Sequence, residues 1–268
     1  METDSDVMRT RIADRIDRLE AARDITVLYA CESGSRAWGF ASGDSDYDVR
    51  VVYVHPRDWY LSVDLERRDD TVDPPIENEI DLHGWDLRKA LGLFHGANPT
   101  LREWLRSPLV YREDAAVMDR WRALVPDYYP PGAVARAYRG LARSVADQNL
   151  TGEPISHKAY LYVLRALLAV RWVEQDRGPV PLEFECLLDE TVDDAAVRDA
   201  VEALLAQKRS GNELDEGPRR PVIHDFVDAE LERQRALEFP GPASRSAMEP
   251  LNAVFRSVLD RHAESNAP

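Results

Sequence analysis

The sequence predicts an α+β fold, in which a mixed, strongly twisted sheet with helices is followed by an all-α lobe. Short apolar runs with strand character are interspersed with helical patterns in the first half of the chain. The pair Pro130-Pro131 then interrupts the chain, and the pattern beyond it is almost wholly helical. Strands that are followed by helices alone indicate two domains, which we place at residues 1–130 and 131–268.

Each element of the first half has a local signal. Met8, Ile12, Ile16 and Leu19 stand at helical spacing, which predicts an amphipathic helix over residues 8–23. Apolar runs bounded by turn residues predict three strands. These strands cover residues 25–31, 47–54 and 79–83.

The remaining elements are helices. Asp86 is expected to cap a helix that runs to residue 94, and Pro99 begins a short helix that ends near residue 105. Helical periodicity predicts five further helices in the second half. They cover residues 132–150, 156–175, 194–209, 222–237 and 245–263.

Composition excludes several classes of protein. No apolar run approaches the roughly 18 residues that a membrane-spanning helix needs, and the acidic N-terminus has no secretory signal. We therefore expect a soluble, cytoplasmic protein with no membrane partner. Two distant cysteines support neither a zinc site nor a disulfide framework. The net charge of -15 argues against wide, nonspecific adhesion to nucleic acid.

The residues that point to chemistry lie between the first two predicted strands. Gly34 lets the backbone approach a phosphate closely, and Ser35 offers a hydroxyl and an amide to phosphate oxygens. Asp46 and Asp48 alternate with one residue between them and so share one face of a strand. Two adjacent carboxylates repel each other unless a cation lies between them, and Mg²⁺ or Mn²⁺ is the cation that such ligands prefer.

Each part of this pattern has an ordinary explanation when it stands alone. An Asp-x-Asp pair in so acidic a protein is usually a solvated turn, and a Gly-Ser pair is common. The combination, with strand signals before the first pair and after the second, is far more specific. It favours a site that transfers a nucleotidyl group, because divalent ions can stabilise both the attacking and the leaving oxygens of an in-line displacement.

Gly34-Ser35, ten residues and Asp46-Tyr47-Asp48 together resemble the signature of the DNA polymerase β nucleotidyltransferase superfamily. More narrowly, several segments resemble the RlaP or YcgL-like nucleotidyltransferases, which are associated with RNA ligases. These segments are residues 32–40, 45–50, 81–91, 98–108 and 157–165. The resemblance implies a polymerase β-like fold and use of a nucleoside triphosphate such as ATP, and it covers most of residues 25–175.

The resemblance also implies a third carboxylate on a neighbouring strand, which completes the metal site and aligns or deprotonates the attacking hydroxyl. Asp81 is our candidate, because it alternates with the apolar residues Ile80 and Leu82. Glu79 and His83 share its face and are the second choices. Asp46, Asp48 and Asp81 are thus the predicted catalytic and metal-binding residues.

A predicted helix of the second half presents Lys158, Tyr162 and Arg165 on one face. Lys158 suits the β- and γ-phosphates, and Tyr162 suits the base or sugar. Arg36 either contacts phosphate or orients the aspartates, as does Arg50. For the helix that carries Lys158 and Arg165, the alternative is an interface role in which its cations pair with acidic residues. With Gly34 and Ser35, these residues are the predicted nucleotide-binding set.

We expect a metal-dependent nucleotidyltransferase that moves NMP from an NTP to an acceptor hydroxyl and releases pyrophosphate. The acceptor stays open between an RNA end, in a role in RNA repair beside an RNA ligase, and a protein or small-molecule hydroxyl. A noncatalytic regulator that only binds nucleotide is the alternative from another class, and the intact Asp46 and Asp48 pair argues against it. The predicted site lies in the cleft between the two lobes.

Overall fold

A computed structural model describes residues 4–211, 216–239 and 247–265 of the 268-residue chain. The first half contains α1 (Asp4–Arg23), β1 (Thr26–Glu32), α2 (Gly34–Trp38), β2 (Tyr47–Val54), α3 (Arg57–Tyr60), β3 (Thr71–Val72), β4 (Ile80–Asp86), α4 (Leu87–His95), α5 (Pro99–Trp104), β5 (Val110–Glu113) and α6 (Ala115–Arg122). The second half contains α7 (Pro131–Asn149), β6 (Ile155–Ser156), α8 (His157–Glu174), α9 (Phe184–Thr191), α10 (Ala195–Arg209), β7 (Glu216–Gly217), α11 (Pro221–Arg235) and α12 (Glu249–Ser265).

The main sheet has five strands in the order β3-β4-β2-β1-β5. β2 and β4 are parallel, and the other neighbouring strands are antiparallel. The predicted mixed sheet of an α+β fold is therefore confirmed. The three predicted strands correspond to β1, β2 and β4, whereas β3 and β5 had no clear signal because they are short edge strands.

Apolar side chains cover both faces of this sheet. Ile12 and Ile16 of α1 are fully buried against one face, with Val49 and Val51 of β2. Burying each isoleucine contributes roughly 2 kcal/mol. The other face packs on a cluster that includes residues of α4, α5, α6 and α12, with Trp104 and Trp121 at its centre. Asp48 and Asp81 each lie at the second position of their strand, next to the edge of this apolar core.

Local capping explains where the helices begin. The Asp86 carboxylate accepts a hydrogen bond from the Arg88 N–H at 2.8 Å, which confirms the predicted cap of α4. Asn98 caps α5 in the same way, with its side-chain oxygen 3.0 Å from the Leu101 nitrogen. The predicted glycine-containing turn after β1 is a short helix, α2, which begins at Gly34.

The contacts divide the described residues into two units, one around the sheet and one that is mostly helical. The sheet unit contains residues 4–37, 46–128 and 247–265, and the helical unit contains residues 38–45, 129–211 and 216–239. Along the chain, the grouping changes from the sheet unit to the helical unit between residues 128 and 129. The division into domains 1–130 and 131–268 stays a prediction, and it differs from this grouping for residues 38–45 and for α12.

The last helix groups with the sheet because of its apolar face. Leu251, Val254 and Val258 of α12 are buried in the cluster that α4 and α6 supply. The helix was predicted to start at residue 245; α12 begins at Glu249, and residues 245 and 246 lie outside the described residues. The sequence predicted the helix from its apolar periodicity, but it did not predict that this apolar face packs on α4 and α6.

α8 is the central helix of the helical unit. Eleven of its 18 residues are buried, and α7 packs along it while α9 and α11 also contact it. The five predicted helices of the second half correspond to α7, α8, α10, α11 and α12, and α9 was missed because it is only eight residues long. None of the described helices is both long and apolar enough to cross a membrane.

Candidate active site

The site is built where β2 and β4 begin. These strands are parallel, and Asp48 of β2 is the register partner of Asp81 of β4. Both side chains are partly exposed, at 23 % and 29 %. Ile80 and Leu82, which flank Asp81, are buried on the opposite face, as the alternation predicted. The register therefore brings two of the predicted catalytic carboxylates side by side.

Arg50 connects these two carboxylates. It lies two residues beyond Asp48 on the same strand and hence on the same face. Its Nη2 atom donates to Asp48 Oδ1 at 2.7 Å and to Asp81 Oδ2 at 2.9 Å. Its Nη1 atom donates to the backbone oxygen of Asp81 at 2.9 Å. Of the two roles considered for Arg50, the structure shows the orienting one.

Gly34 lies directly against Asp48. Its φ is +58°, and a Cβ atom placed on it would lie 2.1 Å from Asp48 Oδ2, far inside any possible contact. The Ser33 N–H donates to the Asp48 backbone oxygen at 2.9 Å, which ties the same turn to β2. The sequence predicted that a glycine here allows a close approach. In the structure the group that approaches it is the Asp48 carboxylate.

Asp46 and Arg36 flank the carboxylate pair. Asp46 is exposed and immediately precedes β2. Arg36 Nε donates to the Asp46 backbone oxygen at 3.3 Å, and its guanidinium carbon lies 3.8 Å from the centre of the Tyr47 ring. Ser35, between Gly34 and Arg36, is buried. Arg36 thus holds the backbone at Asp46, while contact of Ser35 or Arg36 with phosphate stays a prediction.

A buried acid, Glu32, completes this end of the sheet and was not among the predicted catalytic residues. Its Oε1 atom accepts the Asp48 N–H at 2.8 Å, and its Oε2 atom accepts the Tyr111 hydroxyl. Burial raises the pKa of Glu32 to about 7, against the hydrogen bonds from Tyr111 and Asp48. The available signal was an acid at the end of an apolar strand, just before the glycine turn.

The fit of a divalent ion depends on the donors present. Arg50 shows that the carboxylates of Asp48 and Asp81 already share a cation, and carboxylate oxygens suit Mg²⁺ or Mn²⁺. Across the described residues, no three His, Cys, Asp or Glu side chains are grouped so that they hold an ion by themselves. The structure therefore groups Asp48 and Asp81, but not Asp46 as a third ligand. Mg²⁺ often binds in this way, with substrate phosphates as further ligands.

The predicted residues of the helical unit lie on α8, on one face as expected. Lys158 is exposed, and its Nζ atom lies 5.9 Å from the centre of the Tyr162 ring. Tyr162 makes an edge contact with Trp38 at 5.0 Å between ring centres. Trp38 is the last residue of α2, the helix that starts at Gly34. This aromatic pair joins two of the five sequence segments on which the resemblance rests, residues 32–40 and 157–165.

Arg165 is placed differently from the other two. It is only 2 % exposed, and its guanidinium carbon lies 4.6 Å from the centre of the Trp38 ring. Its Nη2 atom also donates to the backbone oxygens of Pro181 and Leu182, at 3.4 and 3.3 Å. Nucleotide binding by Arg165 stays a prediction, and its burial favours support of Trp38.

The sequence is similar to known proteins over most of its length. Residues 8–257 match the family described as RlaP, RNA repair pathway DNA polymerase beta family. The uncharacterized protein YcgL of Bacillus subtilis (strain 168) is 42 % identical over 226 residues, which cover 84 % of this chain and 86 % of that protein.

Among solved structures, a nucleotidyltransferase-like protein from Exiguobacterium sibiricum 255-15 aligns over 96 % of this chain and 91 % of its own. That alignment has 12 % identity and a TM-score of 0.33, a likeness that establishes neither fold nor function. The family match spans almost the whole sequence, and the predicted resemblance is thereby confirmed. The chain belongs to the RNA repair pathway DNA polymerase beta family.

Proposed function

We propose that the protein is a metal-dependent nucleotidyltransferase that transfers NMP from a nucleoside triphosphate to an acceptor hydroxyl. The observation that carries this proposal is the pairing of Asp48 with Asp81 beside the Gly34 turn. Such an arrangement suits in-line displacement at phosphorus, because it concentrates negative ligands next to a backbone turn that a phosphate can approach. Membership of the family supports the same reaction class.

In this reaction the acceptor oxygen forms a bond to the α-phosphorus, and the bond from the α-phosphorus to the bridging oxygen of the β-phosphate breaks. Asp48 and Asp81, with Asp46 as a further ligand, would hold Mg²⁺ or Mn²⁺. When bound, the ion supplies charge neutralisation at the attacking and leaving oxygens. Asp81 aligns the acceptor hydroxyl and accepts its proton.

The remaining residues act on the triphosphate and the base. Ser35 and Arg36 are proposed to contact phosphate oxygens, since they follow Gly34 directly. Lys158 neutralises the β- and γ-phosphates, which leave as pyrophosphate. Tyr162 packs on the base or sugar. Arg165 contributes by holding Trp38, on which Tyr162 rests.

We propose that the acceptor is an RNA end. The family description supports RNA, and the use of the arginines limits how much RNA the protein holds. Arg136 and Arg139 donate to backbone oxygens between residues 234 and 239, and Arg171 pairs with Glu230. These contacts hold the three side chains within the protein, which favours a short contact with RNA over a long one. Local recognition of an end needs fewer phosphate contacts.

A protein or small-molecule hydroxyl is the second candidate acceptor. The net charge of -15 favours it, because an acidic protein attracts RNA weakly at long range. An AMPylating enzyme of this kind would use the same carboxylates and the same triphosphate site. The two candidate acceptors therefore require the same residues of the protein. They differ only in the molecule that receives the NMP group.

The test is transfer of label from each α-³²P-labelled triphosphate, with Mg²⁺ or Mn²⁺, to RNA ends and to protein in separate reactions. We expect label on RNA ends, and we expect Asp48→Asn to lower the rate at least about 100-fold, equivalent to about 3 kcal/mol of transition-state stabilisation. Asp119→Asn is the matched control, since Asp119 is an exposed aspartate of α6 in the same unit. It should retain the wild-type rate.

The outcomes separate the alternatives. Label on protein with no label on RNA would replace the RNA acceptor and keep the reaction class. Saturable binding of triphosphate with no transfer to any acceptor would make the protein a noncatalytic nucleotide-binding regulator. Equal rates for Asp48→Asn and Asp119→Asn would remove the carboxylate pair from the mechanism.

A further inference from the structure

One nitrogen atom of Arg50 satisfies two catalytic carboxylates at once. Nη2 lies 2.7 Å from Asp48 Oδ1 and 2.9 Å from Asp81 Oδ2, so both oxygens are within reach of a single atom. The other nitrogen, Nη1, is fixed by the backbone oxygens of Asp81 and Val49, at 2.9 and 3.2 Å. The guanidinium is thus anchored on one side and bridges the carboxylates on the other.

The charges at this point do not cancel. Two carboxylates share one guanidinium, which carries a single positive charge. The Arg50 side chain is only 17 % exposed, so water screens this cluster less than it screens a surface pair. A second positive charge added beside Arg50 would be repelled by it. A cation that took its place between the two oxygens would instead be attracted by both carboxylates.

We propose that Arg50 is an exchangeable internal cation. Its Nη2 atom holds Asp48 and Asp81 together in the free protein and gives up their shared position when a divalent ion binds. The inference rests on the proposed function for the identity of the ion, and it concerns a residue outside the predicted catalytic and metal-binding set. Arg50 is a positioning residue here, since it acts through the two carboxylates.

The structure contains a useful contrast in Arg112 of β5. Arg112 also bridges two carboxylates in the sheet unit: Nη1 donates to Glu20 Oε2 at 2.8 Å, and Nη2 donates to Asp17. Its side chain is 28 % exposed, close to the value for Arg50. Its partners lie on α1, away from the glycine turn. Arg112→Gln therefore removes a comparable bridge without touching the proposed metal site.

The experiment measures Mn²⁺ binding by electron paramagnetic resonance and the melting temperature with EDTA or with Mn²⁺. Without metal, Arg50→Gln should lower the melting temperature, because the two carboxylates then repel each other. It should also bind Mn²⁺ about 3- to 10-fold more tightly than the wild type, because its competitor is gone. By linkage, Mn²⁺ should raise the melting temperature of Arg50→Gln more than that of the wild type.

Arg112→Gln should lose stability without metal but respond to Mn²⁺ as the wild type does. Arg50→Lys keeps a positive charge without the planar fork, so its Mn²⁺ affinity should lie between those of the wild type and Arg50→Gln. An equal or weaker Mn²⁺ affinity in Arg50→Gln would overturn the proposal. So would a failure of both Arg50 variants to show a cooperative transition at any Mn²⁺ concentration, since that result would make Arg50 purely structural.

Two combinations of results distinguish the exchange of Arg50 from the proposed transferase activity. Coupled Mn²⁺ binding in a protein that transfers no nucleotide would support the exchange and refute the enzyme. Transfer activity lost in Asp48→Asn, together with unchanged Mn²⁺ affinity in Arg50→Gln, would support the enzyme and refute the exchange.

Discussion

Two clusters of arginines and carboxylates, one in each unit, differ in the number of arginines that each carboxylate contacts. At the start of β2 and β4, the carboxylates of Asp48 and Asp81 share the single guanidinium of Arg50. In the helical unit, the single carboxylate of Glu230 on α11 receives both Arg171 and Arg233. The first cluster has two carboxylates for one arginine, whereas the second, in which Glu174 also pairs with Arg233, has two carboxylates for two arginines.

The Glu230 cluster has the properties of a structural network. Glu230 is 2 % exposed, and Gln234 also donates to it, at 2.7 Å. Burial raises the pKa of the Glu230 carboxyl, but the hydrogen bonds from Arg171, Arg233 and Gln234 outweigh burial and lower it to about 2. Every functional pH therefore leaves Glu230 ionised and saturated with donors. Such a carboxylate has no capacity for a further ligand.

The number of donors around a carboxylate distinguishes a cluster that binds a ligand from a cluster that stabilises the fold, even when both contain the same residue types. A carboxylate that is surrounded by donors is committed to the fold. Two carboxylates that share one arginine can bind a metal cation in its place, and that is the property a metal site requires. Removal of charge should therefore cost stability in the second unit and metal-dependent function in the first.

The largest stability effect is expected for Glu230→Gln. This change keeps the size of the side chain but removes the buried carboxylate that pairs with Arg171 and Arg233, and it leaves Arg233 with Glu174 alone, at a cost of about 3 kcal/mol. The measurement is the free energy of unfolding in urea. Label transfer, assayed well below the melting temperature, should be unchanged because the cluster does not belong to the proposed site.

Glu232→Gln is the matched control for Glu230. Glu232 lies on the same helix, is largely exposed and forms only a long 3.7 Å ion pair with Arg235. Its variant should unfold like the wild type. If Glu230→Gln were as stable as Glu232→Gln, saturation with donors would not identify a structural cluster, and the contrast between the two units would lose its energetic basis.

A smaller loss of stability, with a large loss of function, is expected for Gly34→Ala. The new Cβ atom would collide with Asp48 Oδ2, and the left-handed φ adds about 1 to 2 kcal/mol of backbone strain. Asp48 must then move away from Arg50 and Asp81. We expect label transfer to fall at least about 10-fold at saturating triphosphate, as misplacement of a positioned group does.

Gly178→Ala is the control that distinguishes the effect of backbone strain from the effect of a steric clash with Asp48. Gly178 also has a left-handed φ, +80°, but an added Cβ atom would meet nothing within 4 Å. It should show the strain as lost stability and retain the transfer rate. Equal losses of transfer in both variants would mean that backbone strain alone affects the site, and that contact between Gly34 and Asp48 is unimportant.

Much of this site followed from residue spacing. The alternation of Ile80, Asp81 and Leu82 placed Asp81 on the correct face, because a strand allows only two faces. The Asp86 cap and the face shared by Lys158, Tyr162 and Arg165 followed from helical geometry in the same way. Local periodicity therefore predicted the orientation of side chains within an element.

The partners across elements were not predictable in this way. That Asp48 lies opposite Asp81 depends on the register of two strands separated by about thirty residues, and no local pattern fixes that register. Arg50 was recognised only as a residue that contacts phosphate or orients the aspartates, and Glu32 was not among the predicted catalytic residues. The burial of Arg165 depends on Trp38, more than a hundred residues away. Long-range pairing decides these features, and one sequence contains little information about it.

Asp86 is a third kind of carboxylate. It is buried, and its hydrogen bonds within the described part of the chain come from a tyrosine hydroxyl and a backbone N–H, not from an arginine or lysine side chain. Its Oδ2 atom accepts the Tyr60 hydroxyl at 2.5 Å, and its Oδ1 atom accepts the Arg88 backbone N–H. Burial raises the pKa of Asp86 to about 6, although both hydrogen bonds oppose the rise. The folded protein therefore holds a proton on Asp86 more tightly than the unfolded chain does.

The sign of the resulting pH dependence follows from linkage. Stability from the protonated Asp86 is fully present below about pH 4 and is lost as the pH rises through about 6. Asp86→Asn keeps the helix cap but cannot ionise. Between pH 4 and pH 7, the wild type should therefore lose about 2 kcal/mol relative to Asp86→Asn, as measured by urea unfolding. A constant difference would show that Asp86 ionises at its ordinary pKa, and that a buried carboxylate here needs no cation.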